Sequence, residues 1–349
     1  MANKKRELAE VIMGFIVKNP QISSKEIHEG IDQKWGYATI KRAILALIDQ
    51  NLLIATGKGR GTKYEISPSF EILLPIDPGM YFQKEIDERE IKKEFNRELI
   101  PVQLKKISLF TESEYKTLEQ LQHIFKKNTE EISTDEFKKE FERLAIDLSW
   151  KSSQIEGNTY SLLETERLLK KQETASGKTK DEATMLLNHK ATLDFLLEQK
   201  NYLKPLTIPG IEDIHSMLIK DLGVARNIRK RRVGISGTNY RPPENEFLIS
   251  EALTDMCKLI NDRNNVFEKA LLALVLISYI QPFADGNKRT ARIISNAILM
   301  SHHYCPVSFR TTDPIEYKKA MLIFYEINNI SAFKKIFIDQ FEFAVKTYF

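Results

Sequence analysis

One segment of twelve residues organises this sequence: Gln281-Pro282-Phe283-Ala284-Asp285-Gly286-Asn287-Lys288-Arg289-Thr290-Ala291-Arg292. It combines a carboxylate, a Gly-Asn turn and three cations, and it follows directly on the apolar stretch Leu271–Ile280. The apolar stretch predicts a buried helix and Thr290–Met300 predicts a second one, so the turn between them directs backbone N–H groups at an anion. Arg289 and Arg292, three residues apart, lie on one face of the second helix. The segment therefore indicates a site for a metal-bound polyphosphate, the alternative being an ordinary helix-loop-helix with a solvated basic turn.

The segment resembles the signature of Fic proteins, His-x-Phe-x-(Asp or Glu)-Gly-Asn-(Gly or Lys)-Arg-x-x-Arg, at every specified position except the first. Fic proteins transfer AMP or another phosphate-containing group to protein hydroxyls. The resemblance implies that Asp285 holds Mg²⁺ and that the amides of Gly286 and Asn287 cradle phosphate oxygens. It also implies that Arg289 and Arg292 neutralise phosphate charge. ATP and Mg²⁺ are thus the expected cofactors.

Two residues of the segment, Gln281 and Lys288, bear on its chemistry. Gln281 stands at the position of the family's general base, and an amide has no proton-accepting pKa near neutrality, although it can orient a hydroxyl by hydrogen bonding. Lys288 stands where AMP-transferring members usually have Gly, so its side chain would intrude on a phosphate subsite. Lysine there is common in the death-on-curing branch of the family, whose toxins act as kinases. Whether AMP or phosphate is transferred therefore stays open.

A second motif, Ser152-Ser153-Gln154-Ile155-Glu156-Gly157-Asn158, precedes the phosphate loop. It resembles the inhibitory pattern (Ser or Thr)-x-x-x-Glu-(Gly or Asn) of the Fic class whose inhibitory helix comes before the core. Ser152 and Glu156 would share a helix face, and Gly157 would end the helix. The implied partner of Glu156 is Arg292, which would otherwise grip the terminal phosphate of ATP. The alternative is that Glu156 only ends a surface helix.

A third element, Arg229–Pro243, alternates apolar and polar residues and then turns, which predicts a β-hairpin. It resembles the Fic flap, whose pattern has an Arg, three residues, a Val, and a Pro-Pro beyond the hairpin. Val233, Gly234 and Ile235 would then pair with an extended segment of a target protein. The charged run at its start is equally typical of a solvated surface.

The composition, 349 residues of which 42% are hydrophobic, predicts a large core and two or three domains. Because no run of about eighteen uncharged apolar residues occurs, and the amino terminus leads into an amphipathic segment, we expect no membrane span and no signal peptide. A cytoplasmic protein follows from this expectation. Cys257 and Cys305 lie among apolar residues and predict buried thiols. His302 and His303 have no neighbours at ligand spacing and predict surface or helix-end histidines.

Residues 1–67 resemble a winged helix-turn-helix. Three amphipathic segments, one opened by a capping box at Ser23 and Glu26, precede a hairpin with the glycine-rich basic tip Gly57–Gly61. This part contains 11 Lys and Arg against 7 Asp and Glu, a surplus equal to the net charge of +4 of the whole chain. The surplus favours DNA binding, with phosphate contacts from Lys41, Arg42, Lys58, Arg60 and Lys63. Winged helices also serve as dimerisation or protein-docking modules, so a homodimer stays an alternative.

The rest of the sequence predicts a helical bundle, so the fold class is mainly α with a Fic-type bundle and a small flap. Residues 68–149 read as a connector, within which Lys84–Glu98 predicts a charged surface helix, followed by two amphipathic helices. The Fic domain is expected at 150–330, and a carboxyl-terminal helix at 331–349. Within and just before the Fic domain we expect helices near Glu112–Lys127, Thr134–Lys151, Glu182–Gln199, Ile208–Leu222, Ile249–Arg263, Val266–Ile280 and Pro314–Ile327.

Two functions compete on this reading. The first is a protein adenylyltransferase that moves AMP from ATP to a hydroxyl of an unidentified protein, repressed by Glu156 and weakened by Gln281. The second is a nucleotide-binding regulator that has lost its chemistry at Gln281 and that binds DNA through its first domain. Loss of a general base typically removes about 10²- to 10⁴-fold of the rate, so position 281 separates the two.

Overall fold

The computed structural model describes residues 2–31 and 34–349, and its helices confirm the mainly helical fold class. The chain divides into two compact units. The first contains the residues up to Pro75 together with Lys106–Lys116. The second contains Ile76–Lys105 and Thr117–Phe349. The domain borders expected near residues 67, 149 and 330 stay predictions.

The first unit begins with three helices, α1 (Ala2–Lys18), α2 (Ser24–Gly30) and α3 (Tyr37–Asp49). A capping box opens α2: the Ser23 hydroxyl accepts from the Glu26 amide at 3.3 Å, and the Glu26 carboxylate accepts from the Ser23 amide at 2.8 Å. These reciprocal bonds satisfy amides that a helix start leaves free. One apolar face of each helix enters a common core, made of Leu8, Ile12, Ile16, Ile27, Ile40, Ile44 and Leu47.

A two-stranded antiparallel hairpin follows α3. Its strands are β1 (Leu53–Thr56) and β2 (Lys63–Ile66), paired in the register that sets Leu53 opposite Ile66. Gly57 and Gly59 in the connection have φ of 81° and 58°, which glycine adopts without strain. Three helices followed by a hairpin are the elements that the sequence indicates, while the winged-helix assignment stays a prediction. The side chain of Arg60, one of the expected phosphate contacts, lies outside the described residues.

The remaining elements are helices. Two are short, α4 (Phe70–Leu73) and α5 (Pro78–Tyr81). Within the described part of the chain, no helix is both long and apolar enough to cross a membrane. The longer helices are, in chain order, α6 (Glu112–Glu131), α7 (Thr134–Ile155), α8 (Leu162–Lys171), α9 (Lys180–Glu198), α10 (Ile208–Leu218), α11 (Glu246–Asp262), α12 (Val266–Ile280), α13 (Asn287–Ser301), α14 (Pro314–Ile327) and α15 (Ser331–Tyr348).

Helix α12 is the centre of the second unit. Every residue in it except Lys269 is buried, as expected for a helix that is apolar on all sides. The side chain of Asn265 caps its start by accepting from the Glu268 amide at 3.1 Å. The helix ends at Ile280, where Gln281 adopts a left-handed conformation and Pro282 cannot continue the hydrogen-bond ladder. It packs against α11, α13 and α14, and so fixes where α13 begins.

The prediction of a surface helix at Lys84–Glu98 is wrong. The segment runs irregularly, because its polar groups bond to residues far along the chain. The Lys92 amide donates to the Glu326 carbonyl oxygen at 2.7 Å. Arg89 pairs with the Glu326 carboxylate at 3.2 Å, and the two side chains are only 6% and 0% exposed. Charge alternation alone offers a helix no apolar face to bury, so these tertiary bonds determine the backbone path.

The prediction of a β-hairpin at Arg229–Pro243 is also wrong, because the described residues of this segment form no paired strands. The segment pairs instead with an earlier part of the chain. Arg241 and Glu94 form an isolated parallel β-bridge, in which the Arg241 amide donates to the Lys93 carbonyl oxygen at 2.7 Å. The two prolines after Arg241 have no N–H for a ladder. The turn at Gly237, with φ of 90°, is present without the strands.

Candidate functional site

The loop between α12 and α13 contains two residues in the left-handed region. Gln281 has φ of 51° and Gly286 has φ of 83°. A Cβ atom on Gly286 would lie 3.2 Å from Ile219 and 3.4 Å from the His215 ring, so both conformation and space favour glycine. Helix α13 begins directly after this glycine. The free amides of its first turn form the kind of helix start that attracts anions.

The side chain of Asn287 braces this loop. Its Oδ1 accepts from the Phe283 amide at 2.8 Å, and its Nδ2 donates to the Phe283 carbonyl oxygen at 2.8 Å. The same Nδ2 donates to Gln281 Oε1 at 3.0 Å. Because Phe283 is fully buried, these hydrogen bonds connect the loop to the hydrophobic core. The side chain of Asn287 therefore shapes the loop, while the phosphate contact expected of its backbone amide stays a prediction.

Gln281 is held in place by its neighbours and is only 9% exposed. Its Nε2 donates to the Ser278 carbonyl oxygen at 2.6 Å, and its Oε1 accepts from Asn287. The carboxamide is thus oriented on both sides, and it has no group that takes up a proton near neutral pH. Gln281 is here a fixed hydrogen-bonding group.

Asp285 and Arg289 contact each other. Arg289 Nη2 donates to Asp285 Oδ2 at 2.9 Å, and the two side chains are 2% and 66% exposed. Among the described residues, Arg289 Nε and Nη1 and Arg292 Nη1 are buried without a hydrogen-bond partner. Buried donors of this kind are costly unless an acceptor reaches them. The geometry therefore presents one exposed carboxylate above two buried guanidinium groups with donors to spare.

The carboxylate of Glu156 lies between two cations of α13. Arg292 Nη2 donates to Glu156 Oε1 at 2.8 Å, and Lys288 Nζ donates to Glu156 Oε2 at 2.6 Å. Arg292 is also held by Ser152, through Nε to the hydroxyl at 2.8 Å and through Nη2 to the carbonyl oxygen at 2.9 Å. Gly157 follows the end of α7 with φ of 98°. The structure thus brings Ser152, Glu156 and Arg292 together, and it adds Lys288 to the set.

Arg292 and Lys288 keep the carboxyl group of Glu156 ionised. Burial by itself would raise the pKa of the Glu156 carboxyl, but the charges of Arg292 and Lys288 outweigh burial, and their hydrogen bonds add to the effect. Together they lower the pKa to about 2. Glu156 is therefore ionised at neutral pH and forms a buried three-member ion cluster with the two cations.

His215 on α10 is a site residue that the sequence did not indicate. Its ring stacks on Phe283 with centroids 3.6 Å apart and an interplanar angle of 3°. Its Nε2 lies 2.9 Å from the Asp285 carbonyl oxygen, and its Nδ1 lies 3.2 Å from the Arg226 carbonyl oxygen. A lone histidine in an apolar helix gives no sequence signal of such a contact. In the structure the His215 ring contacts the loop at two residues, the buried Phe283 and the backbone of Asp285.

Residues 205–299, which include this loop, α12 and all but the last two residues of α13, match the model of the Fic/DOC family. This part of the chain is similar to Fic domains. Curated relatives are protein adenylyltransferase fic-1 of Caenorhabditis briggsae, 28% identical over 171 residues, and protein adenylyltransferase Fic of Nematostella vectensis, 30% identical over 172 residues. The alignments cover 47% and 48% of this chain but only 33% and 40% of the relatives. The chain thus spans well under half the length of the relatives that it matches.

Solved structures of Fic proteins share the fold. A fragment of Fic-1 from Caenorhabditis elegans superposes with a TM-score of 0.59 at 22% identity, over 68% of this chain and 72% of that one. A Fic family protein from Desulfovibrio desulfuricans superposes with a TM-score of 0.57 at 17% identity, over 68% and 74% of the two chains. At these identities the comparison supports the helical architecture around the loop and nothing finer.

Arg229, at the start of the segment expected to form a flap, contacts Gln281. This buried guanidinium donates to three carbonyl oxygens: Nε to Gln281 at 2.7 Å, Nη1 to Arg231 at 2.8 Å, and Nη2 to Pro243 at 2.6 Å. Both ends of the segment are thereby anchored beside the loop. Val233, Gly234 and Ile235 are half-buried or exposed, and among the described residues no hydrogen bond joins them to the loop. Their role in binding a target stays a prediction.

The cysteines and the His302-His303 pair lie outside this arrangement. Cys257 and Cys305 are both buried thiols, and burial raises the pKa of Cys257 to about 12. His302 Nδ1 lies 2.9 Å from the Ile298 carbonyl oxygen at the end of α13. In the described ranges, no cluster of three or more His, Cys, Asp or Glu is placed to hold a metal.

Proposed function

We propose that this protein is a protein adenylyltransferase of the Fic type that transfers AMP from ATP to a protein hydroxyl and is held inactive by Glu156. One observation carries the proposal: an exposed carboxylate, a helix start and two buried guanidinium groups converge at one loop. The matched relatives are named protein adenylyltransferases. Their names support the reaction class, and the geometry supports the residues.

ATP fits the charge of the site. The unpartnered donors of Arg289 and Arg292 can bond to phosphate oxygens, and the start of α13 offers backbone N–H groups to the same anion. Mg²⁺ fits Asp285, whose exposed carboxylate uses one oxygen for Arg289. When bound there, Mg²⁺ would neutralise phosphate charge. His215 and Asn287 would keep the loop in the shape that aligns these groups.

The proposed reaction needs a proton acceptor. The acceptor oxygen bonds to the α-phosphorus of ATP while the bond from that phosphorus to the pyrophosphate oxygen breaks. Pyrophosphate leaves with the electron pair, and the proton of the hydroxyl must pass to a base. Gln281 cannot take this proton and can only orient the hydroxyl, so the proton passes to water and turnover is slow.

The alternative function is a nucleotide-binding regulator without catalysis. The fixed carboxamide of Gln281 favours it, because everything needed to hold a triphosphate is retained while the base is replaced. A purified protein that binds Mg-ATP but transfers no group, even when Glu156 is replaced by Gly, would support this alternative.

Two labels test the proposal. Glu156→Gly protein is incubated with ATP labelled either in the α-phosphate or in the γ-phosphate, together with a mixture of proteins as acceptors. We expect slow covalent labelling from the α-label alone. Labelling from the γ-label alone would instead assign kinase chemistry, which Lys288 leaves open from the sequence. Labelling from neither, with Mg-ATP bound, would contradict the transferase.

For the first unit we propose duplex DNA as a partner, because α3 presents unpaired cations. Lys41 and Arg42 lie on its exposed face beside Tyr37, and within the described residues neither side chain pairs with a carboxylate. Lys58 on the hairpin tip is exposed as well. Lys63 is a weaker candidate than the sequence suggested, because its ammonium pairs with Glu26 at 2.9 Å. Cations on a helix and on a hairpin are suited to phosphate contacts along a duplex.

A further inference from the structure

Lys288 and Arg292 are one helical turn apart on α13 and share a single anion. Each binds a different oxygen of the Glu156 carboxylate, at 2.6 and 2.8 Å. The side chain of Lys288 is 31% exposed, that of Glu156 17% and that of Arg292 0%. Solvent exposure therefore decreases from the lysine through the carboxylate to the arginine. The lysine is the outer member and the only one of the three that keeps substantial contact with water.

We propose that Lys288 has two opposed roles: it holds Glu156 in the closed site, and it binds the terminal phosphate of the nucleotide once Glu156 has left. The proposal rests on the nucleotide site proposed above and assigns to it a residue that selects for the triphosphate. Lys288 is then not a steric obstacle in the phosphate site but a cation exchanged between two anions.

The charges in the site require a replacement for Glu156 when it leaves. If Glu156 moves away without a replacement, a buried guanidinium and a partly buried ammonium lie side by side without a counter-ion, which is costly in a poorly solvated site. A carboxylate offers one oxygen to each cation in the closed site. A terminal phosphate offers three oxygens and about two negative charges, so it can bond to both cations and leave an oxygen for another ligand. A nucleotide that lacks this phosphate cannot replace the carboxylate.

The two roles predict opposed contributions to nucleotide affinity that occur together only when Glu156 is present. With Glu156 replaced by Gly, removal of the Lys288 charge deletes a phosphate contact and makes Mg-ATP binding weaker. With Glu156 present, the same change also deletes the contact that holds Glu156 in the site, so the two contributions offset each other. We expect the Kd for Mg-ATP to rise by about 3- to 10-fold in the Glu156→Gly background, the size of one partly exposed charge-assisted hydrogen bond, and to change much less in the native background. In the Glu156→Gly background, the Kd for ADP should rise less than the Kd for ATP when the Lys288 charge is removed. ADP lacks the γ-phosphate that Lys288 is proposed to contact.

Calorimetric titration with ATP and MgCl₂ tests this on four full-length proteins: the native sequence, Lys288→Met, Glu156→Gly and the double variant. Methionine keeps most of the length of lysine and removes the charge. Lys288→Ala, made in both backgrounds, separates charge from bulk, because a steric obstacle would leave Met like Lys and would make Ala tighter in both backgrounds. Lys258→Ala, an exposed lysine on α11, is the matched control and should change nothing. Circular dichroism and thermal melting verify that each variant is folded.

A Kd that rises in the Glu156→Gly background and changes clearly less, or falls, in the native background supports the exchange. An equal rise in both backgrounds, or no change in the Glu156→Gly background, overturns the double role of Lys288 while leaving the nucleotide site intact. Absence of ATP binding in all four folded proteins overturns the nucleotide site and the exchange with it.

Discussion

Glu156 is the residue that we propose to hold the site closed. Since its carboxylate occupies Arg292 and Lys288, we expect Glu156→Gly to tighten Mg-ATP binding by about 10-fold or more, the contribution of a partly buried ion pair. Isothermal titration calorimetry measures the change. Glu173→Gly, which removes an exposed loop carboxylate paired with Arg167, serves as the control. Equal affinity for the native protein and Glu156→Gly would contradict the inhibitory role.

In the proposed reaction we expect Gln281 to limit turnover rather than nucleotide binding. In the Glu156→Gly background, we expect Gln281→His to raise the rate of AMP transfer by about 10²- to 10⁴-fold, because it supplies the missing proton acceptor. The Kd for Mg-ATP should change little, since position 281 acts on the hydroxyl and not on the phosphates. Initial rates with α-labelled ATP measure the effect, with Gln281→Asn as the control that keeps an amide. If the single Glu156→Gly variant already matches the double variant, Gln281 does not limit the reaction.

The packing of α7 against α9 contains a buried neutral histidine. His189 is fully buried, and its Nδ1 lies 3.1 Å from the Ser149 hydroxyl. Burial, and then the nearby charges of Arg292 and Arg289, hold the pKa of His189 well below its usual value of 6.5. Below about pH 6.5 the imidazole of His189 binds a proton in the unfolded chain but not in the folded protein. Acidification therefore favours unfolding.

This histidine gives a pH-dependent stability. Between about pH 6.5 and pH 5, we expect the free energy of unfolding of the native protein to fall by up to about 1.4 kcal/mol per pH unit on account of His189. His189→Asn keeps a hydrogen-bonding group near Ser149 but does not titrate, so its free energy of unfolding should fall less steeply over the same range. Urea denaturation at several pH values measures both slopes. Parallel slopes would show that His189 titrates normally.

At the scale of elements, prediction from sequence succeeds where signals are local. Helix α12 has its expected bounds, Val266–Ile280, because an Asn cap, an apolar run and Pro282 act on neighbouring residues. It fails at Lys84–Glu98, where the backbone follows bonds to Glu326, more than 200 residues away. Helix α8 was also missed, although Ser161 caps it with a capping box of the same kind as that of α2.

The candidate site likewise contains contacts that the sequence indicates and contacts that it does not. The order of residues from Gln281 to Arg292 indicated which charges lie together, since they are fixed by one turn and one helix. The contact between Lys288 and Glu156 and the support from His215 join residues that are far apart in sequence. No spacing rule contains that information, because packing of the helices creates it.

At the scale of the whole molecule, the first unit adds a basic surface to a chain whose net charge is +4. If α3 contacts DNA, the affinity for duplex DNA should fall steeply with salt, and Lys41→Glu with Arg42→Glu should remove most of it by placing acids against phosphates. Fluorescence anisotropy with a labelled duplex library between 50 and about 200 mM salt measures this. Lys25→Glu on α2 is the control. Affinity that does not depend on salt would favour a docking or dimerisation module.

The carboxylate that we propose to close the nucleotide site lies at the end of a helix. Glu156 caps α7 directly after its last residue, Ile155, and the turn there is closed by bonds from the Gly157 amide to the Gln154 carbonyl oxygen and from the Asn158 amide to the Ser153 carbonyl oxygen, each 3.0 Å. Helix ends fray at a fraction of the free energy that global unfolding requires. We therefore expect the site to open by unwinding one turn while the rest of α7 stays folded. Amide hydrogen exchange at Gly157 and Asn158 then reports how often the site is open to nucleotide.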